Sequence, residues 1–375
     1  MAGVYLHIPF CRKLCFYCDF YHLISPPDTS AFIQAVLKEI SLRKEYLGTE
    51  KVNTIYLGGG TPSVFSLKDL GEIMETVRRQ FIVDEKAEVT IEVNPDDINR
   101  DYLTGLRNIG INRISMGVQS WRDEDLKMLN RRHDSARAVA ALNDCFDSGF
   151  SNVSIDLIYG IPGMGPVEWE SNLDYSFTFD IKHLSAYHLT IENGTVFGKM
   201  KEKGLLTEVD EDLSTILFNT LLTRTEKEGF IQYEISNFGK PGYFSQHNSN
   251  YWKQVPYIGL GPSAHSFNGY SRQWNKSDLK GYIKAVSRGE ADFEIEELDQ
   301  RTKFNEYIMT SLRTMWGIDL DYVESIFEKE GYDYVVNLSA KFVSYGLLKQ
   351  EKNTLVLTNQ GKMISDNIIS ELMMP

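Results

Sequence analysis

The chain has 375 residues, 42% of them apolar and 24% charged, enough for two or three domains or one large α/β barrel with an appendage. Its 39 basic and 52 acidic side chains leave a net charge of −13, which argues against a surface built for phosphate contacts and so against a nucleic-acid partner. No run of about 18 apolar residues predicts a membrane-spanning helix. The first ten residues lack a leader pattern and four cysteines make no disulfide framework, so a cytoplasmic protein is expected.

Up to about residue 191, short β-type runs alternate with helical patterns. Strands are predicted at 4–8, 54–57, 89–93, 113–118, 153–158 and 184–191. A helix follows the cap candidates Asp28, Thr29 and Ser30, with Phe32, Ile33, Val36, Leu37 and Ile40 at helical spacing. A second starts at Ser66, and a third opens at Asp134 and stops at Gly149. Such alternation implies a parallel sheet. Six units are too few for a closed eight-unit barrel and fit a partial (β/α)6 barrel or an open doubly wound sheet. In either fold, ligands gather at the carboxyl ends of the strands.

Beyond Thr195 the alternation stops. A helix is predicted over 211–227. Residues 231–275, rich in Gly, Pro, Asn, Tyr and Trp, read as irregular structure with aromatic anchors. Helical patterns return around Leu279, Phe304 and Tyr322, and 347–357 reads as a hairpin turning at Lys352-Asn353. Helices followed by a small hairpin suggest an α+β, winged-helix-like C-terminal domain. Residues 301–375 carry 8 basic and 10 acidic side chains, 8 − 10 = −2, which weakens a DNA reading of it. The expected division is 1–235, 236–295 and 296–375. The aromatic segment 243–274 fits either a pocket or an interface in a homodimer.

Cys11, Cys15 and Cys18 are spaced C-x3-C-x2-C. Three thiolates on one short loop suit a soft metal centre, either an iron–sulfur cluster or zinc. A structural zinc would want a fourth ligand, and His22 is near enough in sequence. A [4Fe–4S] cluster on three cysteines keeps one iron open. Spacing alone leaves both open. Cys145, among Leu142, Phe146 and Gly149, reads as a packing residue.

The stretch Tyr5-Leu6-His7-Ile8-Pro9-Phe10-Cys11 through Cys15-Phe16-Tyr17-Cys18-Asp19-Phe20 resembles the signature of the radical S-adenosylmethionine (SAM) superfamily. More narrowly it is similar to the branch related to oxygen-independent coproporphyrinogen III oxidase, HemN. The resemblance continues through Gly58-Gly59-Gly60-Thr61-Pro62, Glu92-Val93-Asn94-Pro95, Gly117-Val118-Gln119-Ser120 and Asp156 to Pro162. It implies a [4Fe–4S] cluster on Cys11, Cys15 and Cys18 whose free iron takes the amino and carboxylate groups of SAM. It also implies that Gly58, Gly59, Gly60 and Thr61 let the backbone approach the methionine part. By the same resemblance, Glu92 and Gln119 bind polar groups of SAM and Arg131 pairs with its carboxylate. Asp156 accepts from the ribose, Tyr5 and Tyr17 pack by cluster or adenine, and Ala186 is a backbone contact position.

Where the decarboxylating oxidases carry a further cysteine two positions after the third, this chain has Asp19-Phe20. That departure resembles the HemW-type haem chaperones of the same branch. His247-Asn248-Ser249-Asn250-Tyr251-Trp252 is similar to their HNxxYW motif, which implies haem on His247 beside two flat rings, in a shaped loop. His7, His188 and His265 are rival ligands. The resemblance implies a chaperone that binds cluster, SAM and haem and passes haem to an acceptor haem protein of the respiratory chain. The alternative is a radical SAM enzyme acting on a tetrapyrrole, such as the oxidase itself.

Overall fold

The computed structural model describes residues 1–24 and 29–375. Its centre is a run of parallel strands. We label them β1 (Ala2–Ile8), β2 (Val52–Gly59), β3 (Val83–Val93), β4 (Arg113–Gln119), β5 (Val153–Tyr159) and β6 (His183–His188). They lie side by side in chain order, each parallel to the next, and β6 does not return to β1. This is the open, partial α/β barrel expected from six strand–helix units. The outward side chains of β1 (Val4, Leu6, Ile8) are fully buried under the helices, as parallel strands covered on that face require.

The covering helices include α1 (Ser30–Leu42), α2 (Leu67–Gln80), α3 (Arg100–Asn108), α4 (Ser135–Asp147), α5 (Pro166–Ser176) and α6 (Glu211–Lys227). Capping starts most of them: Ser66, Asn99, Asp134 and Asp210 each accept a backbone N–H of the first turn. Helix α1 differs, because Thr29 makes no side-chain cap bond and Asp28 lies outside the described residues. Gly149, at φ 82°, ends α4 as predicted.

The segment predicted as irregular carries regular structure instead. Helix α7 (Gln246–Trp252) is followed by β8 (Tyr257–Leu260), β9 (His265–Phe267) and β10 (Ser271–Asn275), after the short β7 (Asn237–Gly239). Strand β8 joins β1 as a seventh parallel strand, and β9, β10 and β11 (Phe293–Glu297) extend that edge antiparallel. At the far edge β7 pairs antiparallel with β6. These strands are three to five residues long and interrupted by Gly259, Gly261 and Pro262, so their local sequence resembles loop. Pairing to β1 makes them strands. The HNxxYW stretch is likewise a helix, not a loop. Ser245 caps it, and the Glu88 carboxylate accepts the N–H groups of Gln246 and His247 at 2.9 and 3.1 Å.

The remaining chain forms α8 (Leu279–Ser287), α9 (Gln300–Leu312), α10 (Leu320–Ser344) and α11 (Ser365–Leu372) with a small sheet. Its hairpin, β13 (Leu348–Glu351) and β14 (Thr354–Leu357), turns at Lys352-Asn353 as predicted, and β12 (Ile318–Asp319) adds a third strand. Phe304, Ile308, Val335, Leu355 and Ile368 belong to an apolar core separate from that of the barrel.

Candidate functional site

The carboxyl ends of β2 to β6 open onto a cavity of about 410 Å³. The loop after β1 closes its mouth and brings Cys11, Cys15 and Cys18 to the rim, all free and half-buried. Burial raises the Cys11 thiol and lifts Cys18 to about 12. Each sulfur has a polar neighbour. Thr61 Oγ1 donates toward Cys11 Sγ at 3.4 Å, Arg131 Nη1 lies 3.4 Å from Cys15 Sγ, and His22 Nδ1 lies 3.7 Å from Cys18 Sγ. Among the described residues no three His, Cys, Asp or Glu side chains converge on a single metal position. A mononuclear zinc needs such convergence. A cubane instead takes each thiolate on a different iron.

Register sets the floor. Glu92 on β3 sits opposite Ser115 on β4, and Gly117, Asp156 and Ser185 are successive partners across β4, β5 and β6. Positions two apart share a face, so the inward row of β4 is Ser115, Gly117 and then Gln119. At Gln119 the strand bulges and the residue takes φ 70°, turning its amide over the mouth. Glu92 is half-buried on the floor of the cavity. It accepts from Tyr56 Oη at 2.8 Å and from Gly59 N at 3.1 Å, and burial pushes its carboxyl up to about 7. Asp156, facing Ser115 Oγ at 3.4 Å, rises to about 6 for the same reason.

Arg131 reaches across the mouth. Its Nη2 donates to Gly117 O at 2.8 Å and to Asn94 Oδ1, and its buried Nε has no partner among the described residues. The three glycines have steric causes. A Cβ on Gly59, at φ 108°, would lie 2.7 Å from His7 Nδ1, and one on Gly60 would meet Ile8 O and Phe10 N at 2.9 Å.

The structure thus brings Cys11, Cys15, Cys18, Tyr17, Gly59, Gly60, Thr61, Glu92, Gln119, Arg131 and Asp156 around one cavity. Gly58 lies just behind it, its Cα face closed by Tyr56 and Glu92. Ala186 does not line the cavity. It is buried in β6 with its N–H given to Ser236 O, and its neighbours Tyr187 and His188 face the space instead. Ser115 and Tyr187 escaped the sequence reading. Two-residue periodicity back from Gln119 finds Ser115.

Tyr5 and His247 lie elsewhere. His247 is buried, with Nδ1 2.9 Å from Thr54 Oγ1 and Nε2 2.9 Å from Tyr251 Oη, and packs against the rings of both Tyr5 and Tyr56. Burial holds its imidazole neutral, at about 3. Both nitrogens are engaged, so the expected haem ligand is not presented to a ligand. Tyr5 and Tyr251 line a second cavity of about 540 Å³ together with Tyr257, His265 and Phe267.

An open parallel barrel with three loop thiols over a polar, strand-end pocket defines a class, the radical SAM proteins. The superfamily model for radical SAM proteins matches residues 5–175. Heme chaperone HemW of Bacillus subtilis is 30% identical over 372 residues, 98% of this chain and 98% of that protein. Heme chaperone HemW of Mycobacterium tuberculosis is 31% identical over 377 residues, 99% of this chain and 94% of that one. Among solved structures, coproporphyrinogen III oxidase (HemN) from Escherichia coli superposes with a TM-score of 0.86 at 24% identity, over 99% of this chain and 90% of that chain, a likeness of fold. The chain belongs to the HemW family of the radical SAM superfamily.

Proposed function

We propose that the protein is a haem chaperone that carries a [4Fe–4S] cluster and SAM and delivers haem to an acceptor haem protein of the respiratory chain. The observation that carries the cofactor reading is the meeting of three free thiols with Glu92, Gln119, Arg131 and Asp156 around one cavity. The donor set fits the group: Cys11, Cys15 and Cys18 would hold the cluster. When bound, such a cluster supplies one open iron for the amino and carboxylate groups of SAM.

The chain's own residues have matching tasks. Arg131, already bonded to Gly117 O and Asn94, places a fixed cation where a carboxylate would rest. Asp156 accepts hydroxyl hydrogens of a ribose. Glu92 faces an ammonium group, which draws its carboxyl back to the charged form. The names of the relatives support haem as cargo, and Asp19-Phe20 in place of a further cysteine supports a chaperone without coproporphyrinogen oxidase activity.

The test pairs two assays on one anaerobically reconstituted sample. Haem-loaded protein is mixed with an apo haem protein of the respiratory chain and the Soret band is followed. Coproporphyrinogen and a reductant are supplied in parallel. The proposal expects haem transfer and no protoporphyrinogen above the no-protein control. Turnover of coproporphyrinogen with release of 5′-deoxyadenosine, and no transfer, would establish the enzyme reading instead.

A further inference from the structure

The second cavity has walls of Tyr5, Tyr21, Tyr251, Tyr257 and Phe267, with His265 among them. Flat aromatic walls suit the faces of a planar macrocycle. His265 opens β9 and is exposed. Among the described residues it is the one histidine of the seven without a hydrogen bond to a ring nitrogen. His7, His22, His133, His183, His188 and His247 each have at least one. Trp274 stacks on the His265 ring, centroids 6.2 Å apart and planes 26° apart, which orients the imidazole without consuming a nitrogen. Partial burial, and then Arg272, lower its proton affinity, which favours the neutral ring. Neutral imidazole with a free nitrogen is a common ligand of haem iron. Arg272, in the same wall, is a cation for a propionate, held meanwhile by Glu306 of α9.

We propose that this groove is the haem site and that His265, in place of His247, ligates the iron. The proposal deepens the haem-chaperone reading and rests on it. His247 acts there as a positioning residue, because its Nε2 bond holds the hydroxyl of Tyr251, one wall of the groove. The site adjoins the first cavity: Phe20, on the loop that follows Cys18, lines both. A haem in the groove therefore borders the loop that carries the three thiols.

The test titrates the full chain, prepared anaerobically, with ferric haem. Soret and electron paramagnetic resonance spectra are recorded for wild type, His265→Ala and His247→Ala. The expected result is an imidazole-ligated spectrum in wild type and its loss in His265→Ala, with binding weakened about tenfold or more. Free imidazole added to His265→Ala restores the wild-type spectrum, which a merely structural role would not allow. His247→Ala keeps the imidazole signature. A His265→Ala chain with wild-type spectrum and affinity overturns the assignment while leaving the chaperone reading intact. A wild-type chain that binds no haem overturns both. Because His265 is exposed, its truncation leaves the fold in place, and circular dichroism checks this.

Discussion

Glu92 offers a sharp electrostatic test of the pocket. Its carboxyl lines the floor of the cavity and rises from its ordinary 4.5 to about 7, chiefly by burial, with the Asp156 charge adding to it. A carboxyl with a raised folded value binds its proton more tightly in the folded state. Stability is therefore lost as pH climbs from the unfolded value to the folded one. The window is pH 4.5 to about 7. The difference of about 2.5 pH units, at about 1.36 kcal/mol each, is about 3 kcal/mol. Glu92→Gln removes the titration and keeps an acceptor for Tyr56 Oη or Gly59 N. Asp156 titrates in both chains and cancels to first order in the difference.

Urea unfolding of the metal-free, reduced protein at pH 4.5, 6 and 7.5 measures this directly. The stability of Glu92→Gln relative to wild type should grow by about 3 kcal/mol from the lowest pH to the highest. A difference that does not change with pH would refute the raised carboxyl. SAM, once bound, should flatten the wild-type dependence, because its ammonium offsets the buried charge.

Gly60→Ala places a methyl 2.9 Å from backbone atoms of Ile8 and Phe10 that cannot rotate away. It should cost about 1–3 kcal/mol in urea unfolding and lower the iron retained on reconstitution, whereas Gly194→Ala, in open space, does neither. Asn172→Ala strips the acceptor from the buried Trp121 N–H, bonded at 2.7 Å, and should destabilise by about 1–3 kcal/mol with SAM affinity unchanged. Cys145 is fully buried in α4, so Cys145→Ala should leave iron and sulfide content at the wild-type level. A loss of iron there would mean the thiol loop is not the whole donor set.

Much of the barrel was legible because each unit carries its own local signal. Helix α6 runs over 211–227 as predicted, and the apolar runs of β1 to β6 match buried parallel strands. The strand-end residues were legible for the same reason: motif and strand terminus coincide at Gly58 to Thr61, Glu92 and Gln119, whereas Asp156 lies at the middle of β5. The other edge was not. Tyr257–Leu260 is four residues beside two prolines and two glycines, and only its register with Gly3 to Leu6 makes it a strand. His247 shows the same limit at one residue. Its motif suggests a ligand, but Thr54 and Tyr251, brought up by β2 and by its own helix, occupy both ring nitrogens. Conversely, nothing in Ala264-His265-Ser266 reveals that this imidazole stands free, since that depends on what packs around it.

The proposed haem chaperone depends on an iron–sulfur cubane held by Cys11, Cys15 and Cys18. Iron, zinc and acid-labile sulfide should be counted in anaerobically reconstituted protein, with the Cys11→Ala, Cys15→Ala and Cys18→Ala chains beside it. About four iron and four sulfide are expected per wild-type chain, falling steeply in each variant. Stoichiometric zinc with no sulfide in the wild type would contradict the cubane.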